Sequence, residues 1–208
     1  MQPDIDYLRR RAQAHLLESA EIKRKVADKC LDLILAAAQL IAETFRSGGK
    51  VLLCGNGGSA ADCQHMAAEF VNRLKKDLER SGLPAIALTT DTSFLTAFAN
   101  DYAFEGVFAR QVQTLGKPGD VLIGISTSGN SANVVHAVEA ARAADVRTIV
   151  LTGNGGRLVE MADAAISVPS ANTQYIQEAH LTIEHTVCDL VESSLFGGRQ
   201  PRIRIALG

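Results

Sequence analysis

His65 and Glu69 stand four residues apart in "DCQHMAAEF", and Gln177, His180, Glu184 and His185 recur in "IQEAHLTIEH". At helical spacing a residue and its fourth neighbour share a face, so the first stretch projects an imidazole and a carboxylate together. On the second, Gln177 and Glu184 share a face, with His185 at its edge, about 80° round from Gln177 at ~100° per residue. Two imidazoles and a carboxylate from two helices make a donor set suited to a borderline metal such as zinc. Each stretch taken alone reads equally well as the solvated face of an ordinary helix, and neither carries H-E-x-x-H.

Two loops offer polar groups of another kind. In "VLLCGNGGSAAD" an apolar run passes through Gly55-Asn56-Gly57-Gly58-Ser59 into a helix. Glycines let the chain turn sharply and let a ligand approach the backbone. The helix start adds free N–H groups and a positive dipole end, which suit an anion or sugar hydroxyls. Gly55, Gly57 and Ala60 also satisfy G-x-G-x-x-A. A dinucleotide site wants an acid about 20 residues further on, at the end of the next strand; Asp91 comes too late, and Asp77 and Glu79 lie in the preceding helical stretch. The second loop, "GISTSGNS", puts the hydroxyls of Ser126, Thr127, Ser128 and Ser131 beside Gly129 and another helix start. An N-cap and a polar turn explain one such hydroxyl; four, with helix amides, make a phosphate cradle without a fixed cation. No G-x-x-x-x-G-K is present, which disfavours triphosphate hydrolysis.

The elements that must position these groups alternate. From about Ile5 to Phe45 there is neither proline nor glycine, and the expectation is one long helix, stopped by Gly48 and Gly49. Its centre, "CLDLILAAAQLIAETF", is apolar on more than one face, as in a helix buried on several sides or packed against another subunit. Then "KVLLC", "PAIALTT", "DVLIGIS", "VRTIVLTG" and "AAISVPS" read as strands. Between and after them, "SAADCQHMAAEFVNRLKKDLE", "TSFLTAFAND", "FEGVFARQVQTLG", "SANVVHAVEAARAA", "GGRLVEMA" and "YIQEAHLTIEHTVCDLVESSLF" read as helices. Continuous apolar strands belong to a parallel sheet covered on both faces. The expected fold is therefore α/β: a three-layer αβα sandwich on a five-stranded parallel sheet, flavodoxin-like, with a long N-terminal helix. Residues 1–198 read as one domain and 199–208 as a tail. The echo of "CGNGG" in "TGNGG" marks two strand-end loops and is too short to be a repeat.

Composition narrows the function classes. The 208 residues suffice for one full core, and the formal net charge of -2 argues against a binder that relies on a basic field. Arginines at 9–11 and at 199, 202 and 204 read as solvated ends. The polar opening residues do not form a signal peptide, and no apolar run approaches the ~20 residues that cross a bilayer. Cys30, Cys54, Cys63 and Cys188 are scattered, with no CxxC pair, as expected of reduced thiols in a cytoplasmic protein. No nucleic-acid or membrane partner is expected.

Taken together, "CGNGGSAAD…H…E", "TTDTSFLTAFANDYAFEGVF", "GDVLIGISTSGNSANV", "LTGNGG" and "IQEAHLTIEH" resemble the phosphosugar isomerase (SIS) domain family and, within it, the phosphoheptose isomerases. The likeness runs over about residues 5 to 197. It implies conversion of D-sedoheptulose 7-phosphate to D-glycero-D-manno-heptose 7-phosphate in a cytoplasmic homotetramer. That is the first step of nucleotide-activated heptose synthesis, for lipopolysaccharide core or capsule. It implies one zinc ion per subunit on His65, Glu69, Gln177 and His185, with Glu69 and His185 as the catalytic pair. It implies substrate contacts from Asn56, Gly57, Gly58, Glu69, Asn100, Asp101 and Gln177, and a phosphate held by Ser126, Thr127, Ser128 and Ser131. Where the family usually has arginine before "IQE", this sequence has Tyr175, preceded by Gln174, which alters the substrate rim.

Ketose-to-aldose conversion moves a proton from C1 to C2. A carboxylate, here Glu69, can take and return it, while an imidazole, His185, serves the two oxygens. The alternative is a non-catalytic SIS-domain protein that binds the replication initiator; such a module has no use for an acid–base and metal set. Sugar-responsive regulators normally add a helix-turn-helix domain, for which there is no length. If the N-terminal helix assembles the oligomer, charges at Leu33 or Leu40 are expected to break it.

Overall fold

The computed structural model describes residues 4–197. The apolar runs form five strands: β1 (Val51–Gly55), β2 (Ala85–Ala87), β3 (Val121–Ser126), β4 (Arg147–Thr152) and β5 (Ala164–Ser167). All neighbours are parallel, in the order β2-β1-β3-β4-β5, which is the flavodoxin-like winding. Register is level across the centre, with Gly55 opposite Ile125 and Ser126 opposite Thr152. The loops that leave β1, β3 and β4 therefore start at one height along a single edge of the sheet.

Strand side chains alternate between two cores. Val51, Leu53, Ile123 and Ile125 point into the core built with α2 (Leu31–Arg46), α3 (Gly58–Val71) and α8 (Thr173–Phe196). Leu52, Cys54 and Leu122 point into the other, built largely with α5 (Val107–Leu115) and α6 (Ala132–Ala143). Both faces are covered, so the strands carry no polar alternation. The expected three-layer α/β sandwich is the observed fold. The short α7 (Arg157–Met161) and α4 (Thr92–Asp101) complete it, and a 3₁₀ turn at Phe104–Gly106 precedes α5.

Two helix boundaries differ from expectation. The N-terminal helix is two: α1 (Ile5–Lys29), capped by the Asp4 carboxylate, and α2. Cys30 breaks it, at φ -114° and ψ 0°, with its thiol 3.4 Å from the Ser167 carbonyl. No proline or glycine marks the break; α2 sits in the core, while α1 buries only Ser19 and Val26. Leu33 is exposed on α2, whereas Leu40 packs on the chain's own core.

The second difference concerns α3, expected to run on to about Glu79, which stops at Val71. The cause is a buried ion pair. Arg80 Nε donates to Glu192 of α8 at 2.7 Å, and its other nitrogens donate to the backbone carbonyls of Glu69 and Phe70 at 2.7 and 2.8 Å. The same Glu192 oxygen accepts the Leu74 N–H at 2.9 Å. A guanidinium thus takes the last carbonyls of α3 and pins that end to α8. Residues 199–208, expected to be a tail, lie outside the described residues.

Candidate active site

The level register brings two loops to neighbouring strands at the point where the winding reverses. At β1 and β3 the following helices leave to opposite faces, and a crevice opens between them. After β1, Gly57 is the N-cap of α3 and gives it no side-chain cap. After β3, the hydroxyl loop folds on itself. Ser126 Oγ lies 2.8 Å from Ser131 Oγ and 3.3 Å from Ser128 Oγ, and Ser128 Oγ accepts the Asn130 N–H at 3.1 Å. Ser131 is the N-cap of α6, yet its side chain makes no capping bond. Its hydroxyl stays in the cluster, and the first amides of α6 remain free for an anion. Gly129 takes φ +65°, and a Cβ there would lie 2.1 Å from the Gly155 carbonyl oxygen; the loop closes only on glycine.

Three of the expected metal ligands meet. His65 and Glu69 on α3 and His185 on α8 offer donor atoms all within 4.8 Å of one another. The two imidazole Nε2 atoms are 2.8 Å apart, with rings edge to face at 4.9 Å, and His65 Nε2 is 3.6 Å from Glu69 Oε1. Donors around a tetrahedral ion with bonds of ~2.0–2.1 Å stand roughly 3.3 Å apart, so the trio suits such an ion. Both imidazoles are exposed and Glu69 is half-buried, which leaves the cluster open to a ligand. The Gln177 amide lies at the start of α3: a Cβ placed on Gly58 would come within 3.0 Å of three of its atoms. Its side chain therefore covers the N-terminus of α3, about 12 Å along α8 from His185 at ~1.5 Å per residue.

Asn100 and Asp101 bond each other, Nδ2 to Oδ1 at 2.9 Å, at the exposed end of α4. Neither makes a hydrogen bond to the trio or to either loop among the described residues. Tyr175 turns toward α1, its ring 4.8 Å from that of His15. There it lines an open groove of about 570 Å3 between α1 and residues 169–172.

The stripe read on α8 is not one polar face. His185 is exposed, but His180 and Glu184 are buried. His180 Nε2 lies 3.0 Å from the Thr152 carbonyl oxygen at the end of β4, and burial pulls the imidazole down to about 4. Burial, and then the nearby Asp62, push the Glu184 carboxyl up to about 9, so it is neutral at pH 7. Neither Glu184 oxygen has a hydrogen-bond partner. Asn154, Ser170 and Thr173 join Thr127 and Ser128 around a cavity of about 340 Å3 beside the hydroxyl loop. The sequence hinted at Asn154 only through the repeated "GNGG"; Ser170 and Thr173 gave no signal beyond the start of α8.

Parallel sheet, crevice and hydroxyl loop together define a sugar-phosphate-binding α/β domain. The family model described as SIS domain matches residues 15–153, and the chain belongs to that family. Within it, the chain is 58% identical over 179 residues to a phosphoheptose isomerase from Roseiflexus sp. (strain RS-1), covering 86% of this chain and 90% of that one. It is 53% identical over 191 residues to a phosphoheptose isomerase from Thiobacillus denitrificans, covering 90% and 96%. The solved phosphoheptose isomerase of Neisseria gonorrhoeae superposes with a TM-score of 0.85 at 46% identity, covering 89% of this chain and 99% of that one.

Proposed function

We propose that this protein is an aldose–ketose isomerase converting D-sedoheptulose 7-phosphate to D-glycero-D-manno-heptose 7-phosphate. The observation that carries the reading is the meeting of His65, Glu69 and His185 from two helices, α3 and α8. The full-length likeness to phosphoheptose isomerases supports it. The replication-initiator alternative has no such support and leaves the trio without a use.

The hydroxyls of Ser126, Thr127, Ser128 and Ser131, with the first amides of α6, hold the phosphate. Asn56, Gly57, Gly58 and Gln177 line the sugar chain, and Asn100 and Asp101 complete the contacts. Glu69 takes a proton from C1 to give an enediol and returns it at C2. His185 hands a proton from the C1 oxygen to the C2 oxygen, so the product differs only in the position of the carbonyl. One zinc ion on His65, Glu69, Gln177 and His185 would supply polarisation of those oxygens and stabilisation of their developing negative charge. A carboxylate lent to a cation is a weaker base, so the two roles of Glu69 belong to different moments of the cycle.

The exposed leucines of α1 and α2 are where the proposed homotetramer would make its contacts, and the reading places the protein in the cytoplasm at the first step of nucleotide-activated heptose synthesis. Residues 1–198 serve as one SIS domain whose N-terminal helices assemble it. Among the described residues no helix is long and apolar enough to cross a membrane. The test is incubation of the purified protein with sedoheptulose 7-phosphate, following the aldose, with and without a chelator. Aldose formation that chelator stops and zinc restores supports both parts. Turnover that survives chelator removes the metal, and no aldose under any condition overturns the isomerase.

A further inference from the structure

Asn56 and Asn133 are 77 residues apart, one in the glycine bend after β1 and the other in the first turn of α6. Their side chains meet across the crevice. Asn56 Nδ2 donates to Asn133 Oδ1 at 2.9 Å, and Asn133 Nδ2 donates to Asn56 Oδ1 at 2.8 Å. A planar amide carries two donor hydrogens and two acceptor lone pairs, so this reciprocal pair uses half of each group. Asn133 is 4% exposed, while Asn56 is half-buried. The unused N–H and lone pair of Asn56 are therefore the ones within reach of a ligand in the crevice.

The pairing matters because of where it lies. α3 packs on one face of the sheet and α6 on the other, so the two loops diverge as they leave β1 and β3. No backbone hydrogen bond joins residues 56–58 to residues 126–133 among the described residues. The amide pair spans that gap.

We infer that Asn133 is a positioning residue: it fixes the rotamer of Asn56 and the spacing between the sugar-binding bend and the phosphate loop. This rests on the isomerase reading above. An unpaired Asn56 would rotate freely, and ordering it again on binding would weaken the complex. The loss falls on ground-state and transition-state binding alike, so it enters KM rather than kcat.

The experiment is a double-mutant cycle of Asn56→Ala and Asn133→Ala, with Asn133→Ser as a second probe and steady-state kinetics on sedoheptulose 7-phosphate. Asn133→Ala is expected to raise KM by up to about tenfold with kcat within about threefold, Asn56→Ala to raise it at least as much because the sugar contact goes too, and the double variant to match Asn56→Ala alone. An unchanged KM in Asn133→Ala, or a double variant whose loss is the product of the two singles, overturns the clasp alone. Failure of both Asn133 variants to fold makes the residue structural and also overturns it. Absence of turnover in the unaltered protein sinks the isomerase reading and the clasp with it.

Discussion

In the proposed reaction Glu69 takes a proton from carbon, a step that needs a carboxylate rather than a group of the same shape. Glu69→Gln keeps the shape and removes the base. Turnover is expected to fall by about 10³-fold, in the middle of the ~10²–10⁴ range of a typical general-base contribution. Calorimetry should still register sugar-phosphate binding, because the proposed phosphate site is made of other residues; appreciable residual turnover rejects Glu69 as base. Gly58 supplies a second test. A Cβ there collides with the Gln177 amide, the movable end of a side chain, rather than with backbone. Gly58→Ala should therefore leave stability within about 1 kcal/mol, since alanine favours helix. Activity should drop as Gln177 is displaced, and parent-like kinetics would show that Gln177 does not work from its present position.

At the scale of the elements, α8 links the trio to the strand ends. His180 anchors it to the last residue of β4 through the Thr152 carbonyl. Its imidazole sits near 4 in the fold against 6.5 when exposed. The unfolded chain thus takes up the proton first as pH falls. The contribution of this group to stability is complete above pH 6.5 and drains away toward pH 4, by at most about 3 kcal/mol. His180→Gln can keep a donor for Thr152 without a titrating ring. Its thermal midpoint should decline less than the parent's between pH 6.5 and 4.5; parallel acid limbs would remove His180 from the account. Helix ends show why sequence reading stops short here. The starts of α3 and α6 were legible from glycine and serine, whereas α8 begins at Thr173, two residues before the expected Tyr175, on an Asn172 cap. The end of α3 was not legible, because Arg80 and Glu192, 112 residues apart, decide it.

Across the whole molecule, apolar surface is concentrated on the N-terminal helices. Leu16 and Leu17 on α1 and Leu31, Leu33 and Leu35 on α2 are all exposed. These exposed leucines are the candidates for the proposed protein–protein contact. Leu33, 42% exposed, is the informative position, since a charge at Leu40 would disturb the chain's own core as well. Leu33→Glu is expected to lower the sedimentation coefficient while leaving the far-ultraviolet circular dichroism unchanged. A sedimentation coefficient that stays put removes this face from the proposed assembly.

The sequence by itself determined the αβα layering, the two ligand loops and the donor types available, because period and turn chemistry act over a few residues. It also carried His65 and Glu69 as a pair, since helical spacing alone sets them together. Only the tertiary structure decided that His185 joins them, that His180 and Glu184 are core rather than polar face, and that Asn133 meets Asn56. Those outcomes depend on which strands become neighbours and which helix covers which face. That is settled by burying apolar surface over the whole chain, and no local stretch of residues contains it.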